Sequence, residues 1–90
     1  MWYVYILKSI NKRFVYIGST NNLEERLRKH NAGLSQSTKA YAPYKIVAYM
    51  AVETEKQARA LEKYFKTGSG KAVLYKRILG SHPLVDEALA

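Results

Sequence analysis

The sequence contains no cysteine and no apolar run of about 18 residues, the length needed to span a bilayer. Without cysteine, disulfide bonds, thiolate zinc sites and a cysteine nucleophile are excluded, so any metal must be held by oxygen or imidazole groups. Such ligands suit a hard cation such as magnesium or manganese. Neither a transmembrane helix nor a signal peptide is indicated, and we expect a soluble, cytoplasmic protein with no membrane partner.

Acidic residues are also scarce. Seven Asp and Glu stand against fifteen Lys and Arg, which gives a net charge of +8 over 90 residues. A field of this sign attracts polyanions, so nucleic acid is the leading partner, although a basic surface that only keeps the protein soluble is the alternative. The length suits one compact domain, which we place at residues 1–80. Residues 81–90 are expected to form a C-terminal tail that adds a short helical turn or frays.

Two runs near the N-terminus indicate a hairpin. Residues 2–7 are aromatic and β-branched, with Trp2, Val4 and Ile6 on one face and Tyr3, Tyr5 and Leu7 on the other. After a polar loop of about four residues, a second strand is predicted from Phe14 to Gly18. Pairing Lys8 with Arg13 would place Tyr5 directly opposite Tyr16.

A helix is predicted after Gly18. Asn21 with Glu24 matches a capping box, and the helix should run to about His30. On the helical wheel Leu23 and Leu27 form the buried stripe, with Arg26 and His30 at its border. A cation at that border needs an anionic partner, which could be a protein carboxylate or a phosphate.

Residues 31–44 show no sustained period and read as a long loop whose Lys39 suits a phosphate contact. Residues 45–52 predict a third strand that is apolar, and therefore covered, on both faces. The elements then follow the order β β α β α α. This order predicts an α/β (α+β) domain with a small three-stranded, mainly antiparallel sheet flanked by helices.

Two further helices are predicted in the C-terminal half. Thr54 with Gln57 forms a capping box for a helix running to about Thr67, and Ser69 is a plausible N-cap for the next. We interpret the GSG of residues 68–70 as a turn between them.

Glu62 lies beside the apolar face of the helix that begins at Thr54, where a carboxylate must be paired, protonated or bound to a cation. A salt bridge, for example to Arg26, is the structural alternative to a metal site.

The residues that remain favour phosphodiester hydrolysis. Nucleotide-binding P-loop, paired-histidine and serine-hydrolase patterns are absent from the sequence. Hydrolysis needs a base for water, a cation beside the phosphate and often a metal. Tyrosine, with a reference pKa of about 10, is a poor base unless neighbouring cations lower that value. Arg26, His30 or a metal could do so.

The chain resembles the GIY-YIG nuclease superfamily, especially its small stand-alone bacterial members and the N-terminal catalytic domain found in excinuclease ABC. Residues 3–5 stand where the family has its GIY strand, and residues 16–18 are the YIG element itself. Arg26 and His30 occupy the positions of the family's arginine and its frequent histidine. Glu62, within ALEKYF, looks like the family's single acidic metal ligand.

This resemblance implies a metal-dependent endonuclease that hydrolyses DNA, with a DNA-repair role among those open to it. Tyr5 would be the general base, Tyr16 would help to position the water, and Arg26 would bind the scissile phosphate. His30 would support proton transfer, and Glu62 would hold one Mg²⁺ or Mn²⁺. Gly18, Lys39 and Ser69 are assigned to DNA contacts, Ser69 because the family's asparagine after the metal-binding helix is missing.

Two alternatives to an active nuclease stay open at this point. A non-catalytic DNA- or RNA-binding module would keep the fold and the basic surface. An interaction domain with no nucleic-acid role would show no salt-dependent binding to DNA or RNA. If the protein is a nuclease, we expect it to lack the attached binding domains that give larger relatives their specificity. It would then prefer a DNA structure such as a branch or flap, cut non-specifically, or depend on a protein partner.

Overall fold

The computed structural model describes residues 1–80 and 88–89. Its elements confirm the predicted order β β α β α α and the α+β class. They are β1 (Trp2–Ser9), β2 (Phe14–Thr20), α1 (Leu23–Asn31), a 3₁₀ turn (Lys39–Tyr41), β3 (Tyr44–Val52), α2 (Glu55–Phe65), α3 (Gly68–Val73), a π-helical turn (Leu74–Ile78) and β4 (Ala88–Leu89). Within these described residues, no helix is long and apolar enough to cross a membrane.

The sheet has the strand order β3-β1-β2-β4. The strand β1 pairs antiparallel with both β2 and β3, which confirms the predicted three-stranded antiparallel sheet. The two-residue β4 lies parallel to β2 beside Phe14 and Val15. The expectation for the tail was a helical turn or a frayed end, and residues 88–89 form this short strand instead of a helical turn. Residues 81–87 and 90 lie outside the described part of the chain.

The hairpin register differs from the predicted one by two residues. Tyr5 pairs with Gly18, and Tyr16 pairs with Leu7. The turn closes one residue later than predicted because the Ser9 hydroxyl accepts a hydrogen bond from the Lys12 amide at 3.1 Å. The strand β2 consequently continues past Gly18 to Thr20. Since side chains alternate with period two, a shift of two residues keeps both tyrosines on the same face.

The strand β3 lies at an edge of the sheet, and the expectation that both of its faces are covered is wrong. A bulge interrupts its pairing with β1 between Ile6 and Leu7, where Ile46 and Ala48 are the partners and Val47 is the extra residue. Tyr49 is 56% exposed. With β1 as its only paired strand in the described sheet, β3 leaves part of its apolar surface in solvent.

The sheet has a hydrophobic core on each face, and β1 divides its side chains between them as predicted. On the α2 and α3 face the buried residues are Val4, Ile6, Val15, Ile17, Ala58, Phe65 and Leu74. On the α1 face they are Tyr5, Leu7, Phe14 and Tyr44, with Leu23 and Leu27 of α1 packed against them. Fully burying one such aliphatic side chain contributes roughly 1.5–3 kcal/mol.

The helix caps agree with the sequence only in part. The Thr54–Gln57 capping box of α2 is confirmed. The N-cap of α1 is Asn22 rather than Asn21, since the Thr20 hydroxyl accepts from the Asn22 amide and delays the helix by one residue.

Thr67 caps α3 in place of Ser69, and α2 ends at Phe65. The GSG segment therefore forms the first turn of α3 and not a turn between two helices.

Gly33 reverses the chain at the end of α1. Its φ is +75°, a region that favours glycine. The Gly33 amide donates to the His30 carbonyl at 3.2 Å, and the Leu34 amide donates to the Lys29 carbonyl at 3.1 Å. This pattern is a Schellman motif, and it folds the following loop back against the last turn of the helix.

Replacing Gly33 with alanine is expected to destabilise the protein by about 1–2 kcal/mol, the cost of left-handed backbone for a residue with a Cβ. The added Cβ itself would meet only ordinary van der Waals contact, so conformation is the whole cause. Urea denaturation measures the change. Gly33→Asn should lose less, because asparagine tolerates this conformation. Equal stability of the alanine variant and the unmodified protein would contradict the motif.

Candidate active site

Three of the predicted site residues meet at the hydroxyl of Tyr5. The strand β1 places the Tyr5 ring beneath α1, where the side chain is 1% exposed. Arg26 and His30 project toward it from the same face of α1, because they are four residues apart. The Arg26 Nε donates to Tyr5 Oη at 3.3 Å, and Tyr5 Oη lies 2.9 Å from His30 Nε2.

The Tyr5 phenol and the His30 imidazole, which face each other in this cluster, are both neutral at pH 7. Burial raises the pKa of Tyr5 to about 12, and the hydrogen bond from Arg26 offsets only part of that effect. Burial, followed by the charge of Arg26, lowers the pKa of His30 below its ordinary value. The sequence left open whether Arg26, His30 or a metal lowers the pKa of Tyr5. In the protein alone, Arg26 lowers this pKa, but desolvation outweighs that effect.

Neutrality fixes the direction of the hydrogen bonds. Arg26 can only donate, so the phenol oxygen accepts from it and directs its own hydrogen toward His30 Nε2. The ring hydrogen of neutral His30 then lies on Nδ1, which is 2.7 Å from the hydroxyl oxygen of Thr38. The result is a chain of hydrogen bonds running from Arg26 through Tyr5 and His30 to Thr38.

Thr38 is a member of this site that the sequence did not indicate. It is fully buried, and its carbonyl accepts from the Tyr44 hydroxyl at 2.7 Å. The residue lies in the loop after α1, where no periodicity identifies a buried position. Its contact with His30 depends on the chain reversal at Gly33, which brings the loop back over the helix.

Tyr16 lies beside the cluster without bonding to Tyr5. Its ring centroid is 6.3 Å from that of Tyr5 and 5.1 Å from that of His30. The ammonium of Lys66 stands 5.7 Å from the Tyr16 ring centroid, which is within range of a cation–π contact. The two phenols therefore share one side of the sheet, as predicted, although the register differs.

Glu62 reaches the same region from α2. Its Oε1 accepts from the Ser19 hydroxyl at 2.8 Å, and its Oε2 pairs with the Lys66 ammonium at 3.0 Å. The salt bridge that the sequence left open is present, but its partner is Lys66 and not Arg26. Spacing indicates this pair, since Glu followed by Lys four residues later is a favourable helical arrangement. Nothing in the sequence indicated that Ser19, directly after the YIG element, contacts Glu62.

A divalent metal is compatible with this carboxylate. Among the described residues there is no group of three or more His, Asp or Glu that could form a metal cage. Mg²⁺ does not require one, because it keeps several waters and is often held by one or two carboxylates. Glu62 offers a hard oxygen ligand that Ser19 orients and that retains partial exposure, with 24% of its side chain open to solvent.

Gly18 allows Tyr5 to occupy its position. A Cβ at Gly18 would lie 2.5 Å from Tyr5 Oη and 2.6 Å from Tyr5 Cζ. No side chain is tolerated here without moving the phenol, so close packing gives the glycine of the YIG element a structural role. The contact between Gly18 and DNA stays a prediction.

Gly18→Ala is expected to displace the Tyr5 hydroxyl and to slow any reaction that uses it by about 10²-fold, the typical effect of a 1 Å misplacement. Overpacking should also destabilise the fold by about 1–3 kcal/mol. The rate of the reaction and thermal unfolding measure the two effects. Gly68→Ala is the matched control, because a Cβ there meets nothing within 4 Å. Equal rates for the two variants would contradict the proposed dependence on the Tyr5 position.

Lys39 and Ser69 lie outside this cluster. Both are exposed, and in the described part of the chain no side-chain hydrogen bond or ion pair joins either residue to Tyr5, Arg26, His30 or Glu62. Lys39 follows Thr38 directly, so it stands at the rim of the site. Ser69 lies in the first turn of α3, and its role as a substitute for the family's asparagine stays a prediction.

Comparison with known proteins agrees with this geometry. A model described as the GIY-YIG catalytic domain matches residues 1–82. The chain belongs to the GIY-YIG family. It is similar to a UPF0213 protein of Clostridium perfringens, with 40% identity over 67 residues, covering 73% of this chain and 71% of the relative.

Other UPF0213 proteins are similar to the chain over comparable lengths. A UPF0213 protein of Bacillus licheniformis is 39% identical over 70 residues, covering 77% of this chain and 71% of the relative. The UPF0213 protein YsiG of Lactococcus lactis is 35% identical over 66 residues, covering 72% of this chain and 62% of the relative. No solved structure matches the chain significantly. The family is of nuclease type, which implies a nucleic-acid substrate, and its nucleases generally use a divalent metal.

Proposed function

We propose that this protein is a metal-dependent endonuclease that hydrolyses DNA phosphodiester bonds. The observation that carries the proposal is the Tyr5 hydroxyl held between the Arg26 guanidinium and a neutral His30, with the Glu62 carboxylate on α2 close enough to act electrostatically on Tyr5 and Arg26. Base, cation and candidate metal ligand are the groups that hydrolysis of a phosphodiester requires.

Tyr5 and His30 act together as the base in this proposal. When Tyr5 Oη takes a proton from the attacking water, it passes its own proton along the 2.9 Å contact to His30 Nε2. Phenolate therefore never has to accumulate, which answers the difficulty raised by a pKa of about 12. The water oxygen forms a bond to phosphorus, the bond to the leaving oxygen breaks, and the leaving oxygen takes up a proton from solvent. His30 ends the step as an imidazolium whose Nδ1–H donates to Thr38. Because burial and the charge of Arg26 lower the pKa of His30, this imidazolium is short-lived and returns its proton to solvent.

Arg26 binds the phosphate that is cut. Its Nε is engaged by Tyr5, while its terminal nitrogens have no hydrogen-bond partner among the described residues. Those nitrogens are free to donate to two phosphate oxygens in the fork geometry that guanidinium favours. Tyr16 borders the same space and helps to position the water.

Glu62 would hold a single Mg²⁺ or Mn²⁺, with Ser19 orienting the carboxylate. When bound, the ion supplies charge stabilisation at the leaving oxygen. The Lys66 ammonium, which donates to Glu62 Oε2 at 3.0 Å, would have to release the carboxylate for it to hold a metal. The donor set supports one hard divalent cation with water as its other ligands.

We further propose which DNA the protein cuts and where in the cell it acts. The net charge of +8 supports binding along a DNA backbone. We propose residues 1–80 as the catalytic unit, residues 81–90 as a tail, and the cytoplasm as the place of action. Branched, flapped or damaged DNA is the proposed substrate, with a role in repair and a protein partner that supplies specificity. Lys39, Ser69 and Gly18 are the further DNA contacts proposed.

The second candidate is a binding module that has kept the fold without the chemistry. One observation favours it: Lys66 already satisfies the Glu62 carboxylate, so the site needs no metal for charge balance. Such a module would bind DNA or RNA with strong salt dependence and would cut neither.

Cleavage of labelled single-stranded, duplex, flapped and branched DNA, in Mg²⁺ or Mn²⁺ and in a chelator, separates the two candidates. The Glu62→Ala variant, purified identically, controls for contaminating nucleases. Metal-dependent cutting that the variant lacks supports the nuclease. Salt-sensitive binding with no cutting by either protein supports the module, and no binding to any strand contradicts both.

A further inference from the structure

A cavity opens beside the cluster, at the C-terminal end of α1 and the start of the loop that follows. Its volume is about 140 Å³, and it is lined by Arg26, Lys29, His30, Leu34 and Ser35. Arg26 belongs both to this cavity and to the Tyr5 cluster. The proposed reaction assigns no role to Lys29, Leu34 or Ser35.

The lining suits an anion. Arg26 and Lys29 bring two full positive charges, and the Ser35 hydroxyl adds a neutral donor. The Glu25 carboxylate lies 4.0 Å from the Lys29 ammonium. Its stronger contacts are with Arg28, at 2.8 and 3.2 Å, so Arg28 neutralises most of its charge and Lys29 stays available.

The end of α1 opposes an anion only weakly. A helix C-terminus carries about half a negative charge on its free carbonyls. Here the carbonyls of Arg28, Lys29 and His30 accept hydrogen bonds from the amides of residues 32–34. With these carbonyls satisfied, the two side-chain cations dominate the field in the cavity.

Leu34 gives the cavity an apolar rim. Its side chain is 67% exposed, and the Schellman motif at Gly33 holds it there. The same loop carries Ser35, whose carbonyl accepts from the amides of Thr38 and Lys39 at 3.2 and 3.0 Å. Cations, a hydroxyl and an exposed leucine together match one nucleotide, whose phosphate is charged and whose sugar and base offer apolar surface.

We propose that this cavity binds the phosphate of the nucleotide next to the cleaved bond, with Lys29 and Ser35 as its ligands and Leu34 against the sugar. The inference rests on the proposed nuclease function and extends it by a phosphate subsite adjacent to the Tyr5 cluster. Arg26 lies between the two phosphates and sets the register of the strand.

The test is binding of a short fluorescein-labelled single strand, measured by anisotropy at several salt concentrations in a chelator so that no cleavage occurs. Lys29→Gln is expected to weaken binding by about 10- to 150-fold, the range of a hydrogen bond to a charged group. It should also reduce the slope of log affinity against log salt by about 1. Lys56 is an exposed lysine in the first turn of α2, and Lys56→Gln is the control that removes one positive charge away from the cavity.

Methylphosphonate groups, which carry no charge, then replace the phosphates of the strand one at a time. The methylphosphonate and Lys29→Gln each reduce the binding free energy. At one position of the strand, their combined effect should be smaller than the sum of the two, as expected for groups in contact. Ser35→Ala should show the same coupling at the same position. Lys29→Arg should restore the salt slope.

The results separate this inference from the function on which it rests. If the protein binds the strand but Lys29→Gln and Lys56→Gln behave alike, or if no position couples to Lys29, the subsite is overturned and the nuclease proposal stands. If the protein binds no strand at low salt, both are overturned. Thermal unfolding of each variant checks that the fold is intact, which is expected because the Lys29 side chain is 46% exposed.

Discussion

Glu62→Ala is expected to lower the rate of DNA cleavage by about 10³-fold or more, since a metal contributes several kcal/mol to stabilising the transition state. The fold should hardly change. The Glu62–Lys66 pair is an i, i+4 pair near the surface, and such pairs contribute about 0.3–0.5 kcal/mol. Cleavage kinetics and thermal unfolding are the measurements, and Mn²⁺ binding provides a readout that does not depend on activity.

Glu55→Ala is the matched control for this variant. Glu55 lies on the same helix and pairs with Arg59 four residues later at 2.7 Å. The control should retain both cleavage and metal binding. Affinity for DNA should be unchanged or slightly higher in the Glu62 variant, because a negative charge is removed. Cleavage by Glu62→Ala at the rate of the Glu55 control would mean that the metal site has been assigned to the wrong residue.

Tyr5→Phe is expected to slow cleavage by about 10²- to 10⁴-fold, the usual contribution of a general base. The ring and its packing remain, but Arg26 Nε and His30 Nε2 lose their shared partner. Leaving a buried polar group without a partner costs about 1–3 kcal/mol, so the variant should also unfold at a lower temperature. Single-turnover cleavage at saturating enzyme isolates the chemical step.

The control for Tyr5→Phe is Tyr64→Phe, which removes a phenol hydroxyl from a ring that is 42% exposed on α2. That variant should match the unmodified protein in rate and stability. Arg26→Ala should instead weaken DNA binding as well as cleavage, since it removes a phosphate contact. If Tyr5→Phe cut at the normal rate, another group would have to deprotonate the water.

The sequence indicated that several candidate site residues lie close together, because helical spacing and strand alternation are local. Arg26 and His30 are four residues apart, so any helix there places them on one face. A two-residue error in register did not separate Tyr5 from Tyr16, since alternation has the same period. The Thr54 capping box was correct because both of its partners are within four residues of each other.

The features that the sequence did not reveal depend on contacts between distant residues. Thr38 reaches His30 only after the loop folds back, and Ser19 reaches Glu62 across 43 positions of the chain. The elevated pKa of Tyr5 is likewise a product of burial, which no local pattern measures. The partial exposure of β3 was missed because its apolar composition resembles that of a strand covered on both faces.

The bulge in β3 has a consequence for how the molecule unfolds. Before the bulge, Tyr44 and Ile46 pack with the α1 face, and after it Ala48, Met50 and Val52 pack with the α2 and α3 face. One strand is thereby shared by both hydrophobic layers. Neither layer can come apart without loosening the strand that supports the other, so the sheet binds the helices on its two sides into a single cooperative unit.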